Sequence, residues 1–156
     1  MIIDGQAEFR CLLRHHITTQ WADALVAEYD PTQAGHLPDE FSGAANDVVL
    51  LGDDQGDRDG QVTLRRFLKI PGFPPVIYFA AAGESGTLPS GVRACMPRDK
   101  VRHATLIGHI ESLLCAKQRR VATDSVVDAE RVNANYPSVR GYRFVSQLAA
   151  GEHAVV

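Results

Sequence analysis

The sequence predicts an α/β domain in which helices cover both faces of a central sheet. Two continuous apolar runs, Val48–Leu51 and Val76–Phe79, have the length and composition of strands buried on both faces. Apolar residues at spacings of three and four predict amphipathic helices near residues 9–17 and 98–116. Together these patterns indicate a sheet of four to five strands between helical layers.

Composition limits what the chain can be. Its 156 residues can bury a core without a disulfide or a bound metal, and its net charge of -3 gives no reason to expect nucleic acid. No apolar run approaches the length of a membrane span, and the N-terminus lacks the pattern of a secretory signal. We therefore expect a cytoplasmic protein without membrane or nucleic-acid partners.

The cysteines are few and widely separated. Cys11, Cys95 and Cys115 form no Cys-x-x-Cys motif. Such spacing is typical of reduced thiols in an intracellular compartment, and we expect these three to be mostly buried.

The first third of the chain predicts a helix, a strand and a second helix. The first helix carries one apolar stripe, formed by Phe9, Leu12, Leu13, His16 and Ile17. Residues 24–29 read as the first core strand, which Asp30-Pro31 ends because proline disfavours continuation. Pro38, followed by two acidic residues, suits the first turn of a helix that begins at Leu37.

An acidic segment, Asp53–Asp59, follows the predicted strand Val48–Leu51. Its aspartates and Gly60 resemble part of a calcium-binding loop, but position one of that loop is Gln55, and at position twelve the cation Arg66 replaces the bidentate carboxylate. We expect such a loop to bind calcium poorly or not at all. The alternative is a solvated turn leading into a helix whose core residues are Leu64, Phe67 and Leu68.

The stretch Phe67–Gly83 organises the rest of the prediction. It reads as a helix end, a Pro/Gly connection, the strand Val76–Phe79 and a glycine turn. Pro74 stands at the strand entrance, and X-Pro bonds take the cis form at modest cost, so Phe73-Pro74 is a candidate cis bond. A hairpin connection, a strand at 92–96 and the helix at 98–116 complete the pattern.

The segment Ile70–Phe79 resembles the part of the thioredoxin superfamily that surrounds its cis-proline. The resemblance implies a thioredoxin-like fold with a central mixed sheet of four to five strands and helices on both faces. It implies a domain at residues 1–116, followed by an extension at 117–156 that is partly ordered or packed on the domain. Gln33 and His36 fall about where the two redox cysteines would stand. The resemblance therefore implies the fold without its disulfide chemistry, and we expect no catalytic residue, metal or cofactor.

Asp30-Pro31, Phe73-Pro74 and the missing cysteines also resemble the thioredoxin-like accessory proteins of nickel-iron hydrogenase operons. That resemblance implies a non-enzymatic chaperone in hydrogenase maturation. Its partner would be another protein or an extended peptide, bound in a groove beside the proline. The predicted groove residues are Phe73, Pro74, Pro75, Gln33 and His36. The alternative is an enzyme, either thiol-dependent through Cys95 or metal-assisted through the acidic segment Asp53–Asp59.

Overall fold

The structure is a computed structural model that describes residues 1–56, 58–81 and 92–117 and two short strands near the C-terminus. The chain divides into two compact units, Met1–Leu114 and Cys115–Val156. In the second unit the structure describes an antiparallel pair of strands, β8 (Ala150–Gly151) and β9 (Ala154–Val155). The tail segment 133–145, with its arginines and aromatic residues, lies outside the described residues.

A five-stranded parallel sheet forms the centre of the first unit. Its strands are β1 (Ile2–Ile3), β2 (Glu28–Tyr29), β3 (Val49–Gly52), β6 (Val76–Ala80) and β7 (Ala94–Pro97). Their spatial order is β2-β1-β3-β6-β7, and every neighbouring pair is parallel. A separate antiparallel pair, β4 (Asp54–Gln55) and β5 (Arg58–Asp59), follows β3.

Helices alternate with these strands. They are α1 (Ala7–Gln20), α2 (Pro31–Ala34), α3 (Gly60–Lys69), a 3-10 turn (Arg98–Lys100) and α4 at 103–117. Side chains set two of the starts: Asp30 accepts from the Thr32 amide to cap α2, and Asp59 accepts from the Gln61 amide to cap α3. Among the described helices, none is both long and apolar enough to cross a bilayer.

Successive residues of each strand point to opposite faces, so the sheet has two cores. On one face α1 and α4 cover the strands, through buried side chains that include Phe9, Leu13, Leu106 and Ile110. On the other face α3 covers them through Leu64 and Phe67. The prediction that helices cover both faces of an α/β sheet is confirmed.

The predicted mixed sheet is wrong, because all five strands are parallel. The glycines between β6 and β7 suggested a hairpin, yet Ile77–Ala80 pair in parallel with Ala94–Pro97. Apolar runs report that a strand is buried and carry no information on its direction. β1 is not predicted from the sequence, because two apolar residues are too few to show the alternation typical of a strand.

The predicted cis bond is also wrong: the Phe73–Pro74 peptide bond is trans. The chain turns at Gly72, one residue before Phe73. The φ of Gly72 is 73°, in the left-handed region that glycine adopts without steric cost. The trans form is the more stable one for most X-Pro bonds.

Two predicted elements in the first third are misplaced. The strand expected at 24–29 is reduced to Glu28–Tyr29 at the sheet edge, and Leu25 is 98% exposed. The helix expected from Leu37 is absent there; α2 instead starts at Pro31, directly after its cap Asp30. Pro31, and not Pro38, occupies the first turn of a helix.

Candidate functional site at the carboxyl edge of the sheet

The carboxyl ends of parallel strands meet at one edge of the sheet, where ligand sites of open α/β sheets lie. Here that edge brings together Asp4, which follows β1, Gly52 at the end of β3, and Arg98, which follows β7. β1 and β3 are neighbours, and the chain order changes direction between them. These three residues form the carboxyl-edge site.

Asp4 is the central group of this site. Its side chain is fully buried, and both carboxylate oxygens are occupied. Oδ1 accepts a hydrogen bond of 2.8 Å from the Gln6 amide, and Oδ2 accepts from the guanidinium of Arg98 in a buried ion pair. The guanidinium of Arg98 also lies over the ring of Phe9, 4.5 Å from its centroid. Arg98 thus supplies the positive charge that a buried carboxylate needs.

Gly52 makes room for this ion pair. A Cβ atom at position 52 would lie 1.5 Å from Asp4 Oδ2 and 2.9 Å from Arg98 Nη2. No side chain can therefore occupy the end of β3 while Asp4 and Arg98 hold their observed positions. The glycine serves close approach here, since its φ is not in the left-handed region.

A second arginine continues the network toward the sheet edge. Arg10 Nη1 donates to the backbone oxygen of Asp4 at 2.7 Å, and its Nη2 lies 3.0 Å from Asp30 Oδ2. Its Nε lies 3.5 Å from Glu28 Oε2. The hydroxyl and amide of Thr32, aided by Arg10, hold the pKa of Asp30 below its usual value. Arg10 therefore ties β1 to β2 and to the start of α2.

The acidic segment after β3 has its own partners. Tyr78 donates its hydroxyl to Asp53 Oδ1 at 2.6 Å, and Asp54 Oδ1 accepts from the Gly56 amide at 3.2 Å. Gln55 is buried and donates to the backbone oxygens of Ile3, Gly52 and Asp54. This segment is therefore built as a hydrogen-bonded turn.

Burial raises the pKa of Asp4 to about 6 from its usual 3.8, while the Gln6 amide and Arg98 act in the opposite direction. The native state then binds the Asp4 proton more tightly than the unfolded chain does. Stability from this group is complete below pH 3.8 and is lost as pH rises through about 6.

We expect this titration to appear in the difference between wild type and Asp4→Asn. Relative to the variant, the free energy of unfolding of wild type should fall by about 2–3 kcal/mol between pH 4 and pH 7. Urea denaturation at each pH measures both proteins. Parallel curves across this range would contradict the raised pKa.

The predicted groove residues stand in two segments of the chain. Phe73 and Pro75 are half-buried and Pro74 is buried just before the amino end of β6, where the Phe73 ring stacks on Phe67 at 4.4 Å. Gln33 is exposed in α2, beyond the carboxyl end of β2, and His36 is half-buried after it. Pro74 thus precedes the amino end of β6, whereas Gln33 follows the carboxyl end of β2.

The predicted alternative enzyme would use Cys95 or the acidic segment Asp53–Asp59. Cys95 is half-buried in β7, and burial raises the pKa of its thiol, which disfavours the nucleophilic thiolate. Cys11 and Cys115 are exposed, contrary to the expectation that the thiols are mostly buried. Within the described parts of the chain, no three His, Cys, Asp or Glu side chains are grouped to hold a metal ion.

Sequence reasoning missed Asp4, Gly52 and Arg98. One signal was available: an aspartate directly after two isoleucines, Ile2–Asp4, fits the carboxyl end of a buried strand. Pairing it with Arg98 requires the strand order, which the sequence does not show.

The fold is that of response regulator receiver domains. The chain is similar to a CheY-like receiver domain protein from Methanospirillum hungatei JF-1, with a TM-score of 0.59 and 17% identity over 76% of this chain and 95% of that one. A receiver protein from Sinorhizobium medicae WSM419 gives a TM-score of 0.55 and 22% identity, over 74% and 92%. No protein-family model and no curated protein matches the sequence.

A third structure has the same fold. It is the N-terminal domain of a response regulator/sensory box/GGDEF three-domain protein from Carboxydothermus hydrogenoformans, with a TM-score of 0.53 and 14% identity over 77% of this chain and 96% of that one. These likenesses overturn the thioredoxin assignment, and with it the predicted chaperone of hydrogenase maturation. Both folds alternate strands and helices, so a short local match around Pro74 could not separate them.

Proposed function

We propose that this chain is a receiver-fold signalling module that acts by binding another protein and catalyses no reaction. The fold supports the proposal, because receiver domains are signalling modules that work through contacts with other proteins. The proposed module is a domain at residues 1–116, followed by an extension at 117–156.

The observation that carries the proposal is the closed state of the carboxyl-edge site. An aspartate accepts a phosphoryl group through a free, accessible carboxylate oxygen. Asp4 has no exposed surface, and its two oxygens are bound by Gln6 and Arg98. Gly52 offers no side chain. The positive charge that Asp4 requires comes from within the chain, so the site needs no external cation to be neutral.

Treatment with acetyl phosphate and Mg²⁺ tests whether any aspartate at the carboxyl edge of the sheet accepts a phosphoryl group. Intact-mass spectrometry should show no phosphoryl adduct, while a receiver domain that accepts phosphoryl groups becomes modified in the same buffer. Asp53 and Asp54 are half-buried carboxylates at the same edge. A stoichiometric adduct that Asp53→Asn or Asp54→Asn removes would overturn the proposal in favour of phosphorylation-dependent signalling.

Cross-linking in the source cells tests the binding half of the proposal. The tagged full chain should recover one protein in a saturable manner, and that protein, tagged in turn, should recover this chain. If reciprocal capture fails for every candidate, the proposal of a protein-binding module is wrong.

A further inference from the structure

An open cleft of about 800 Å³ lies at the amino edge of the sheet, opposite the carboxyl-edge site. The end of α1, the loop at 22–26, the loop at 45–48 and one side of α4 surround it. Met1, Val26 and Val48, which lie before the amino ends of β1, β2 and β3, are among the residues that line it. A cleft of this volume can receive several side chains of a partner.

The walls of this cleft are apolar and continuous with the core. Ile17, Trp21, Val26 and Leu114 line the cleft and are only partly buried, although each packs against the core cluster between the sheet and α1 and α4. Leu25 stands beside them with 98% of its surface exposed. A fully exposed leucine next to an open apolar cleft is typical of an interaction surface.

Two carboxylates and one amine lie among the described residues around the cleft. Asp23 and Asp47 are exposed and border it, and no Lys, Arg or His side chain is among the described residues that line it. The Met1 amine interacts with Asp47 and donates to the Val48 backbone oxygen, so it compensates part of the negative charge of Asp47. The rim therefore complements a cationic partner.

We propose that this cleft docks an amphipathic helix of a partner protein, with apolar side chains on one face and lysine or arginine beside them. The walls are helix ends and loop side chains, which suit a helix inserted by its apolar face more than a strand added to a ladder. This inference rests on the proposed function in that the occupant is a protein segment. The cleft does not include Asp4 or Arg98. If the peptides do not bind, the result of the acetyl phosphate experiment is therefore unaffected.

Two synthetic helical peptides test the chemistry of the occupant. The first has leucines at i, i+3, i+4 and i+7 flanked by lysines, and the second replaces each lysine with glutamate. Titrated into the full chain, the lysine peptide should bind about tenfold more tightly than the glutamate peptide. Trp21 is the sole tryptophan and lines the cleft, so its emission should shift to the blue as the peptide covers it.

Three variants locate the binding. Leu25→Asp should weaken the lysine peptide at least tenfold, and it should leave folding intact because the side chain is exposed. Asp23→Lys should weaken the lysine peptide by about threefold and strengthen the glutamate peptide by a similar factor. Val62→Asp is the matched control, an exposed apolar residue of α3 that does not line the cleft, and it should change neither affinity.

Three results would overturn the inference. One is an unchanged affinity of the Leu25→Asp variant for the lysine peptide. Another is that the two peptides bind equally well or that neither binds. The third is dimerisation of the peptide-free chain in sedimentation that Leu25→Asp abolishes, since a second copy would then be the occupant.

Discussion

Arg98→Met should destabilise the domain by about 3–5 kcal/mol at pH 8. The variant keeps much of the side-chain volume and removes the charge, so the fully buried Asp4 carboxylate loses its ion-pair partner. The pKa of Asp4 should then rise above about 6, and the loss of stability should become smaller at pH 5, where the carboxyl group is protonated. Urea denaturation at the two pH values measures the effect.

Arg102→Met is the matched control for this prediction. Arg102 is exposed, and its guanidinium donates to the neighbouring Val101 oxygen at 3.3 Å. Its loss should change stability by less than about 0.5 kcal/mol at either pH. Equal losses for Arg98→Met at pH 5 and pH 8 would show that packing against Phe9, and not the charge of Arg98, stabilises the site.

Gly52→Ala should cost about 3 kcal/mol, because the added methyl group would overlap Asp4 Oδ2. Moving the Asp4 side chain aside would cost free energy, because it is fully buried and bonded to the Gln6 amide and Arg98. The measurement is the free energy of unfolding in urea, with the m-value checked for two-state behaviour.

Gly108→Ala provides a control of opposite sign. Gly108 lies exposed within α4, and nothing stands within 4 Å of the position that its Cβ would take. Alanine there should stabilise the domain by about 0.5–1 kcal/mol through helix propensity. If Gly52→Ala behaves as Gly108→Ala does, the close packing of the carboxyl-edge site is refuted.

The layered α/β architecture was predictable because it depends on local patterns. Val48–Leu51 and Val76–Phe79 each became a buried strand, β3 and β6. Of the stripe predicted for α1, Phe9 and Leu13 are buried, whereas Leu12 is exposed. These features require only the hydrophobicity of neighbouring residues.

The strand order and the site were not predictable in this way. Asp4 and Arg98 are 94 residues apart and meet because β7 runs parallel to β1 in the same sheet. A thioredoxin-like arrangement of the same apolar runs would place their ends differently. Gly52 reads in the sequence as a strand end, and its role appears only when the Asp4 carboxylate is placed beside it.

The two-residue strand β1 determines how the edge strand β2 is coupled to the rest of the sheet. In the sheet, Ile2 and Ile3 pair with Glu28 and Tyr29 of β2 on one side and with Leu50 and Leu51 of β3 on the other. A fluctuation that releases these two residues must free β2 as well, together with the turn of helix that follows it. In hydrogen exchange, amides bonded between β1 and β2 should therefore never outlast those that join β1 to β3.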